Sequence, residues 1–177
     1  MVQMRRACPE SSAAFVLSPR DYLPVAMFSI IEGLNESLER LQMDYVDIYF
    51  AHRPDPTVPM QEVVRAFNHC INSGKAHYWA TSEWSAQEIE EAYHIADNLG
   101  LIGPIAEQAE HNLFHRERPE LEYLPIYKKY GIKTTVWSAL ASGVLTGKVS
   151  ISSPWFLAVL SRRVVYEFTC LHRILVQ

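Results

Sequence analysis

The chain has 177 residues, of which 49% are apolar and 20% are charged, and its formal net charge at pH 7 is −4. This balance is typical of a folded globular domain and excludes an intrinsically disordered chain. The slight acidity argues against a basic surface for nucleic acid, and three widely separated cysteines exclude a disulfide-stabilised scaffold.

Neither end of the chain has the pattern of a membrane span or a secretory signal. The apolar stretch 155–160 is followed by Arg162 and Arg163, far short of the ~20 residues that cross a bilayer. Arg5 and Arg6 are not followed by the apolar core of a signal peptide. Together with the unpaired cysteines, these features predict a cytoplasmic protein.

The first two predicted elements with a clear period are amphipathic helices. Ser29 and Glu32 have the spacing of a helix capping box, and apolar residues follow at helical intervals up to Leu41. A second helix is predicted to begin at Pro59, as its first helical residue, and to end at Gly74.

Two further helices are predicted downstream. Ser85 and Glu88 form another capping-box pattern, and the helix that follows is predicted to end at Gly100. A shorter helix is predicted over about residues 125–130, with Gly131 as its end.

Short runs of β-forming residues separate these helices and begin about 30 residues apart. Because they are mostly apolar, they predict a parallel sheet that is covered on both faces. Another strand is suggested at residues 15–17. The clear runs cover residues 45–51, 77–81, 104–108 and 132–137.

This order of elements predicts an α/β fold, either doubly wound or a β/α barrel. No Gly-x-Gly-x-x-Gly motif follows any of the predicted strands, which weakens a dinucleotide-binding Rossmann fold. A complete barrel of this kind needs roughly 250 residues. The sequence therefore predicts a partial (β/α)8 TIM barrel, about half of the complete one.

Polar residues at the ends of the strands are the candidate site residues, because β/α barrels place their active sites there. His52 follows the first strand and could donate to a substrate carbonyl or cap a helix. Gln108 closes the third and could bind an amide-bearing ligand or satisfy a backbone group. Trp137 ends the fourth and could stack on a ligand ring or belong to the core.

The segment after the fourth strand, 139–148, is rich in small residues and ends at Lys148. Its Gly and Ser amides could bind a phosphate beside that cation, or the segment could be a surface turn. No cluster of His and Cys residues has metal-ligand spacing, so no metal site is predicted.

A family resemblance covers about residues 30 to 148. This stretch resembles the aldo-keto reductase superfamily, and within it the potassium channel β-subunit branch. The motifs occur in the family's order and spacing. They are residues 30–33 (IIEG), 37–42 (SLERLQ), 44–48 (DYVDI), 52–56 (HRPDP), 81–84 (TSEW), 107–108 (EQ) and 137–148 (WSALASGVLTGK).

The resemblance implies a (β/α)8 barrel, of which this chain carries about strands 4–7 with their flanking helices. It also implies that NADPH is the cofactor and that a small-molecule aldehyde or ketone is reduced by hydride transfer. In that family a tyrosine is the general acid, a lysine and an aspartate assist it, and a histidine orients the carbonyl.

Family roles can be transferred to eight positions of this sequence. His52 matches the carbonyl-orienting histidine, and Ser82 and Gln108 match the residues that hold the nicotinamide carboxamide. Trp137 matches the aromatic residue that stacks on the nicotinamide ring. The loop around the pyrophosphate is matched by Ser138, Leu140, Ser142 and Lys148.

The tyrosine, aspartate and lysine of the family tetrad are not identifiable here. Asp21 and Tyr22 agree in residue type alone, and Arg20 stands where the lysine could be expected. The resemblance therefore predicts an oxidoreductase whose activity is impaired by truncation. Its domain organisation is a divergent N-terminal segment (1–28), an incomplete NADP-dependent oxidoreductase domain (29–148) and a divergent C-terminal segment (149–177).

Two other functions remain open from the sequence. The chain could be a regulatory partner of a voltage-gated potassium channel, acting on the channel's cytoplasmic domain as a homo-oligomer. It could also be a non-functional truncated gene product, because half a barrel leaves two sheet edges unpaired.

Overall fold

The structure is a computed structural model that describes residues 27–147. The suggested strand at 15–17, the residues Arg20, Asp21 and Tyr22, and Lys148 lie outside the described residues. The described residues fall into two compact units. The first contains residues 27–109 and 117–135, and the second contains residues 110–116 and 136–147.

Helices and strands alternate as the sequence predicts. The helices are α1 (Met27–Leu41), α2 (Met60–Asn72), α3 (Ala86–Leu99) and α4 (Leu124–Tyr130). The strands are β1 (Val46–Ala51), β2 (Ala76–Ser82), β3 (Ala106–Glu110) and β4 (Lys133–Trp137). A π-helical turn, Arg118–Glu122, and a 3-10 segment, Ala141–Thr146, are additional elements that the sequence patterns do not predict.

The strands form one sheet in the order β1-β2-β3-β4, and the pairs β1–β2 and β2–β3 are parallel. Each strand leads into a helical crossover before the next strand. This arrangement confirms the predicted α/β fold with a parallel sheet, because parallel neighbours require such crossovers.

The main core of the first unit lies between the sheet and its helices. Tyr49 and Trp79 point from β1 and β2 into this layer, where Phe67 of α2 stacks on Trp79 with ring centroids 4.8 Å apart. Leu34 of α1 and Val64 of α2 are fully buried in the same cluster. Burying each such side chain contributes roughly 1.5–3 kcal/mol to stability.

A smaller buried cluster lies on the other face of the sheet. It contains Phe50, Ala80 and Ala106, with Ile48 and Ile105 packed against it. Side chains alternate between the faces of a strand. The polar residues two positions beyond Phe50, Ala80 and Ala106 therefore continue this second face toward the carboxyl ends of the strands.

The predicted capping residues of α3 and the predicted end of α4 agree with the structure. Ser85 caps α3 through a complete capping box with Glu88, and Gly100 ends the helix in a left-handed conformation with φ of 63°. Gly131 ends α4 with φ of 69°. Glycine adopts this conformation without the steric cost that a Cβ atom would bring.

Two predictions about helix starts are wrong. Ser29 lies inside α1, which is already helical at Met27, so its hydroxyl is not at a helix end and cannot form the predicted capping box. Pro59 occupies the N-cap position of α2, one residue before the first helical residue. None of the helices within residues 27–147 has the length and apolar character needed to cross a membrane.

Candidate functional site

Three of the predicted site residues lie at one level of three neighbouring strand ends. Ser82 pairs in register with Gln108, and one level below them Ala51 pairs with Thr81. His52 follows Ala51 directly and so reaches the level of Ser82. We call His52, Ser82 and Gln108 the strand-end cluster. The parallel register brings these residues together from positions far apart in the sequence.

A chain of hydrogen bonds connects the backbone and side chains around this cluster. The Ser82 hydroxyl donates to the carbonyl oxygen of Gln108 over 3.2 Å, and the Glu83 amide donates to the same oxygen over 3.0 Å. Nη1 of Arg53 lies 3.2 Å from Ser82 Oγ and 3.4 Å from the Ser82 carbonyl oxygen. The same nitrogen donates to the carbonyl oxygen of His52.

The side chain of Gln108 is 6% exposed and forms no hydrogen bond with any of residues 27–147. An amide of this kind carries both N–H donors and a carbonyl acceptor. Nearly buried polar groups of proteins are normally paired. The Gln108 side chain is therefore available to pair with a ligand that presents a donor and an acceptor side by side, as a primary carboxamide does.

The turn after β2 is held in place from the helical side of the sheet. Glu83 has a left-handed backbone with φ of 61°, which is uncommon for a residue with a side chain. Its carboxylate accepts from Arg118 Nη1 over 2.8 Å, and the same nitrogen lies 3.3 Å from the Glu83 carbonyl oxygen. The Tyr123 hydroxyl donates to the carbonyl oxygen of Trp84 over 2.6 Å. The π-helical turn and the residue after it thus fix the turn that carries Ser82.

A buried carboxyl group lies directly behind the cluster. Glu107 is fully buried on the helix-facing side of β3, and its Oε2 accepts from the Thr81 hydroxyl over 2.5 Å. Its Oε1 has no hydrogen-bond partner among the described residues. Burial raises the pKa of Glu107 to about 8, and the hydroxyl of Thr81 and the amides of Glu83 and Trp84 lower it only partly. The carboxyl is therefore mostly protonated at neutral pH.

Arg53 and Glu107 lie in the motifs quoted above, but no role for them, for Arg118 or for Tyr123 follows from the sequence. Two signals were available in the sequence. Glu107 puts a carboxylate in the middle of a strand that is predicted to be buried, and Arg53 stands next to His52 at a strand end. The contacts of Arg118 and Tyr123 with the turn join residues 35 and 39 positions apart, and no local pattern predicts them.

The other predicted site residues that the structure describes belong to the second unit. Trp137 is 38% exposed, and its carbonyl oxygen accepts from the His111 amide over 3.4 Å. The Ser138 carbonyl oxygen accepts from the Asn112 side chain over 3.1 Å. Leu140 is exposed, as a residue of a surface turn would be.

The loop from Ser138 onward has an unusual backbone. Ser138, Ala141 and Ser142 have φ of 57°, 47° and 56°, and Gly143 follows with 91°. Left-handed residues next to right-handed ones can turn successive N–H groups toward an anion. Non-glycine residues in this region of the backbone map cost energy and concentrate at functional loops. The loop thus has a backbone compatible with the predicted phosphate contact, and that contact stays a prediction.

Comparison with known proteins identifies close relatives of part of this chain. A protein of Oryza sativa subsp. japonica, named as a probable voltage-gated potassium channel subunit beta, is 60% identical over 119 residues. A protein of Arabidopsis thaliana with the same name is 58% identical over 119 residues. In both cases the match covers 67% of this chain and 36% of the relative. The chain therefore spans just over a third of the length of these relatives.

A solved structure and a family profile extend the comparison. A crystal structure provisionally named 2,5-diketo-D-gluconic acid reductase B superposes with a TM-score of 0.61 at 26% identity, covering 73% of this chain and 42% of that one. With the parallel sheet described above, this likeness confirms the predicted partial (β/α)8 barrel. The profile of the aldo/keto reductase family matches residues 26–157. The chain therefore belongs to the aldo/keto reductase family.

Proposed function

We propose that this chain carries the nicotinamide-binding part of an NADPH-dependent oxidoreductase that reduces aldehydes and ketones. The observation that supports the proposal most directly is the strand-end cluster, in which the Gln108 amide pairs with no group among residues 27–147. Membership of the family supports the reaction class. The match covers 36% of the length of the Oryza sativa relative. The activity of a complete reductase is therefore proposed here and does not follow from the comparison.

The residues of the cluster have distinct proposed tasks. Gln108 would pair through its amide with the carboxamide of the nicotinamide, and Ser82 would accept from the N–H of that carboxamide. His52 would donate to the substrate carbonyl and orient it. NADPH, when bound, supplies the hydride, which a protein side chain cannot do. The chain's own contribution is to hold and align the reacting groups.

The proposal extends to the second unit by family resemblance. Trp137 would stack on a nicotinamide ring, and Ser138, Leu140, Ser142 and Lys148 would contact a pyrophosphate. The oxidoreductase domain would cover residues 29–148, and the protein would act in the cytoplasm. The preference for NADPH over NADH belongs to the same proposal.

Titration of the full chain with NADPH and with NADH tests this function, with tryptophan fluorescence as the signal. We expect saturable binding of NADPH, weaker binding of NADH, and about tenfold weaker NADPH binding in Gln108→Leu. The control is Gln87→Leu on the exposed surface of α3, which should bind like the unmodified chain. Absence of saturable NADPH binding would contradict the proposal.

Turnover is tested separately by following NADPH oxidation with an aromatic aldehyde. His52→Ala should lower the rate because the carbonyl loses its orienting donor. A rate that is the same in His52→Ala and the unmodified chain would remove the role proposed for His52.

A second function is a regulatory β-subunit role on a voltage-gated potassium channel. The names of the relatives at 60% and 58% identity favour it. Co-purification of the chain with the cytoplasmic domain of such a channel, combined with light scattering, tests this function. We expect a complex that contains more than one copy of the chain. A monomer that does not bind the channel domain would contradict it.

A further inference from the structure

The guanidinium of Arg53 is held against the ends of β1 and β2 by one of its three nitrogens. Nη1 lies 3.2 Å from the Ser82 hydroxyl oxygen and 3.4 Å from the Ser82 carbonyl oxygen, and it also donates to the His52 carbonyl oxygen. Because a guanidinium is planar and rigid, contacts at one nitrogen restrict the directions of the other two. The cation is therefore positioned beside two members of the strand-end cluster.

The other edge of the same guanidinium has no partner in the described part of the chain. Nε and Nη2 of Arg53 form no hydrogen bond with any of residues 27–147, and the residue is exposed. These two nitrogens direct N–H bonds side by side, with a spacing that matches the two oxygens of a carboxylate. This edge can therefore bind a carboxylate through two charge-assisted hydrogen bonds.

The acidic side chains around Arg53 do not neutralise its charge. Oδ1 of Asp55 accepts from the amide and the hydroxyl of Thr57, over 2.9 and 2.6 Å. The Glu83 carboxylate pairs with Arg118. No carboxylate in the described part of the chain forms an ion pair with Arg53. The charge is thus left to attract an anionic ligand.

The position of this cation next to His52 indicates which ligand it serves. A substrate whose carbonyl reaches His52 lies one residue away from Arg53. We propose that Arg53 is a specificity-determining residue that binds a carboxylate on the substrate, so that the preferred substrates are oxo-acids, that is, aldehydes or ketones with an acid group. This inference rests on the proposed function and adds the class of substrate to it. Because the side chain is already held in place, binding the carboxylate costs little additional ordering.

The first test measures binding without turnover, with benzoate as the probe and benzamide as its uncharged counterpart. Titration of the full chain is followed by NMR through the backbone amides of residues 52–53 and 82–83, and in the unmodified chain also through the Arg53 Nε–H signal. We expect saturable benzoate binding that shifts these signals, and about tenfold weaker binding of benzamide.

Variants of Arg53 show whether this preference comes from its guanidinium. Arg53→Met should bind the two probes about equally. Arg53→Lys keeps the charge without the paired N–H groups and should show an intermediate preference. Arg65→Met, on the exposed face of α2, is the matched control and should keep the full preference. Equal binding of the two probes by the unmodified chain, or an unchanged preference in Arg53→Met, would overturn the inference.

The second test compares the turnover of carboxybenzaldehydes with that of the corresponding formylbenzamides, with NADPH as the reductant. The ratio of their kcat/KM values is used, because an effect of the variant on cofactor binding cancels in it. We expect at least one positional isomer of the acid to be preferred about tenfold, and Arg53→Met to reduce the ratio to about one.

Other outcomes of the two tests separate the possible errors. If Arg53→Met weakens NADPH binding but leaves the ratio unchanged, the cation serves a phosphate of the cofactor and the inference is wrong. Failure to reduce any of these aldehydes would contradict the proposed function, and the benzoate titration would still decide the inference. Thermal melts identify variants that do not fold. If Arg53→Met is one of them, Arg53→Lys decides the test through a preference that is severalfold lower.

Discussion

The Thr81 hydroxyl lies 2.5 Å from Oε2 of Glu107, and both residues are fully buried behind the strand-end cluster. Burial raises the pKa of the Glu107 carboxyl to about 8 from an ordinary value of 4.5. The charge of Glu83 raises it as well. Arg118 and the phenols of Tyr123 and Tyr127 also interact with this carboxyl. Its protonation is therefore coupled to the elements that hold the turn after β2.

Stability should fall as the pH rises from about 4.5 to about 8. In this range the folded protein keeps the Glu107 proton while the unfolded chain releases it, so deprotonation favours unfolding. The stabilisation from protonated Glu107 is fully present below about pH 4.5. The free energy of unfolding falls by roughly 5 kcal/mol through this group once the pH exceeds about 8. Urea unfolding at pH 5, 6, 7 and 8 should show the decline, and it should be much weaker in Glu107→Gln. If the free energy of unfolding declines equally with pH in both proteins, Glu107 is not the group responsible.

Tyr123→Phe should destabilise the protein by about 1–3 kcal/mol. The substitution removes the hydroxyl that donates to the Trp84 carbonyl oxygen over 2.6 Å and leaves this oxygen without that donor in a buried place. Chemical unfolding at pH 7 measures the change. Tyr45→Phe is the control, because the Tyr45 side chain is 46% exposed. A similar loss in both variants would argue against a specific role of the hydrogen bond.

The stack of Phe67 on Trp79 should be a main source of stability in the first unit. Phe67→Ala removes a ring that is 3% exposed and leaves a cavity, which should cost about 3–5 kcal/mol. Phe67→Leu fills much of the space and should cost clearly less. Thermal unfolding followed by circular dichroism compares the two. If both variants melt together, the filled volume contributes little and the loss comes from the ring stack itself.

Ser85→Ala should cost about 1 kcal/mol through the loss of the α3 cap. Ser85 Oγ accepts from the Glu88 amide over 3.2 Å, and the Glu88 carboxylate accepts from the Ser85 amide over 2.8 Å. Ser85→Thr keeps the oxygen and should remain close to the unmodified protein. Hydrogen exchange of the first-turn amides of α3 locates the effect. If exchange becomes faster throughout the first unit and not specifically in this turn, the loss of stability does not come from the missing cap.

Gln108→Leu should make the ligand-free protein more stable. An apolar side chain of similar length removes an amide that has no partner in the described part of the chain from a nearly enclosed position, where such groups are costly. The melting temperature without nucleotide should rise by a few degrees, and the shift produced by NADPH should become smaller. A lower melting temperature in this variant would show that the amide is paired in the free protein.

The strands were predictable because their signal is local. Each run of β-forming residues lies next to a segment with helical periodicity. The spacing of about 30 residues between the runs indicates that a helix connects each strand to the next. The ends of α3 and α4 were predictable for the same reason, since Ser85, Gly100 and Gly131 act on the turns next to them. The capping box predicted at Ser29 is wrong because a Ser and a Glu three residues apart also occur inside a helix.

Only those residues of the candidate site that lie at the ends of strands could be predicted from the sequence. Parallel strands necessarily bring Ser82 and Gln108 to one edge of the sheet, so the residues could be found without a structure. The π-helical turn could not be found, because its conformation depends on distant partners such as Glu83, which pairs with Arg118. The hydrogen bonds of Arg53 also depend on the register between two strands, which the sequence alone does not specify.

The left-handed backbone of Glu83 has a consequence for how the site can change. A glycine would adopt that conformation more easily, but it would lose the carboxylate that anchors Arg118, and a larger branched residue would be strained there. Mutational tolerance should therefore be narrow at position 83. Libraries that aim to broaden cofactor choice in this chain should hold residue 83 constant and vary the residues in front of it.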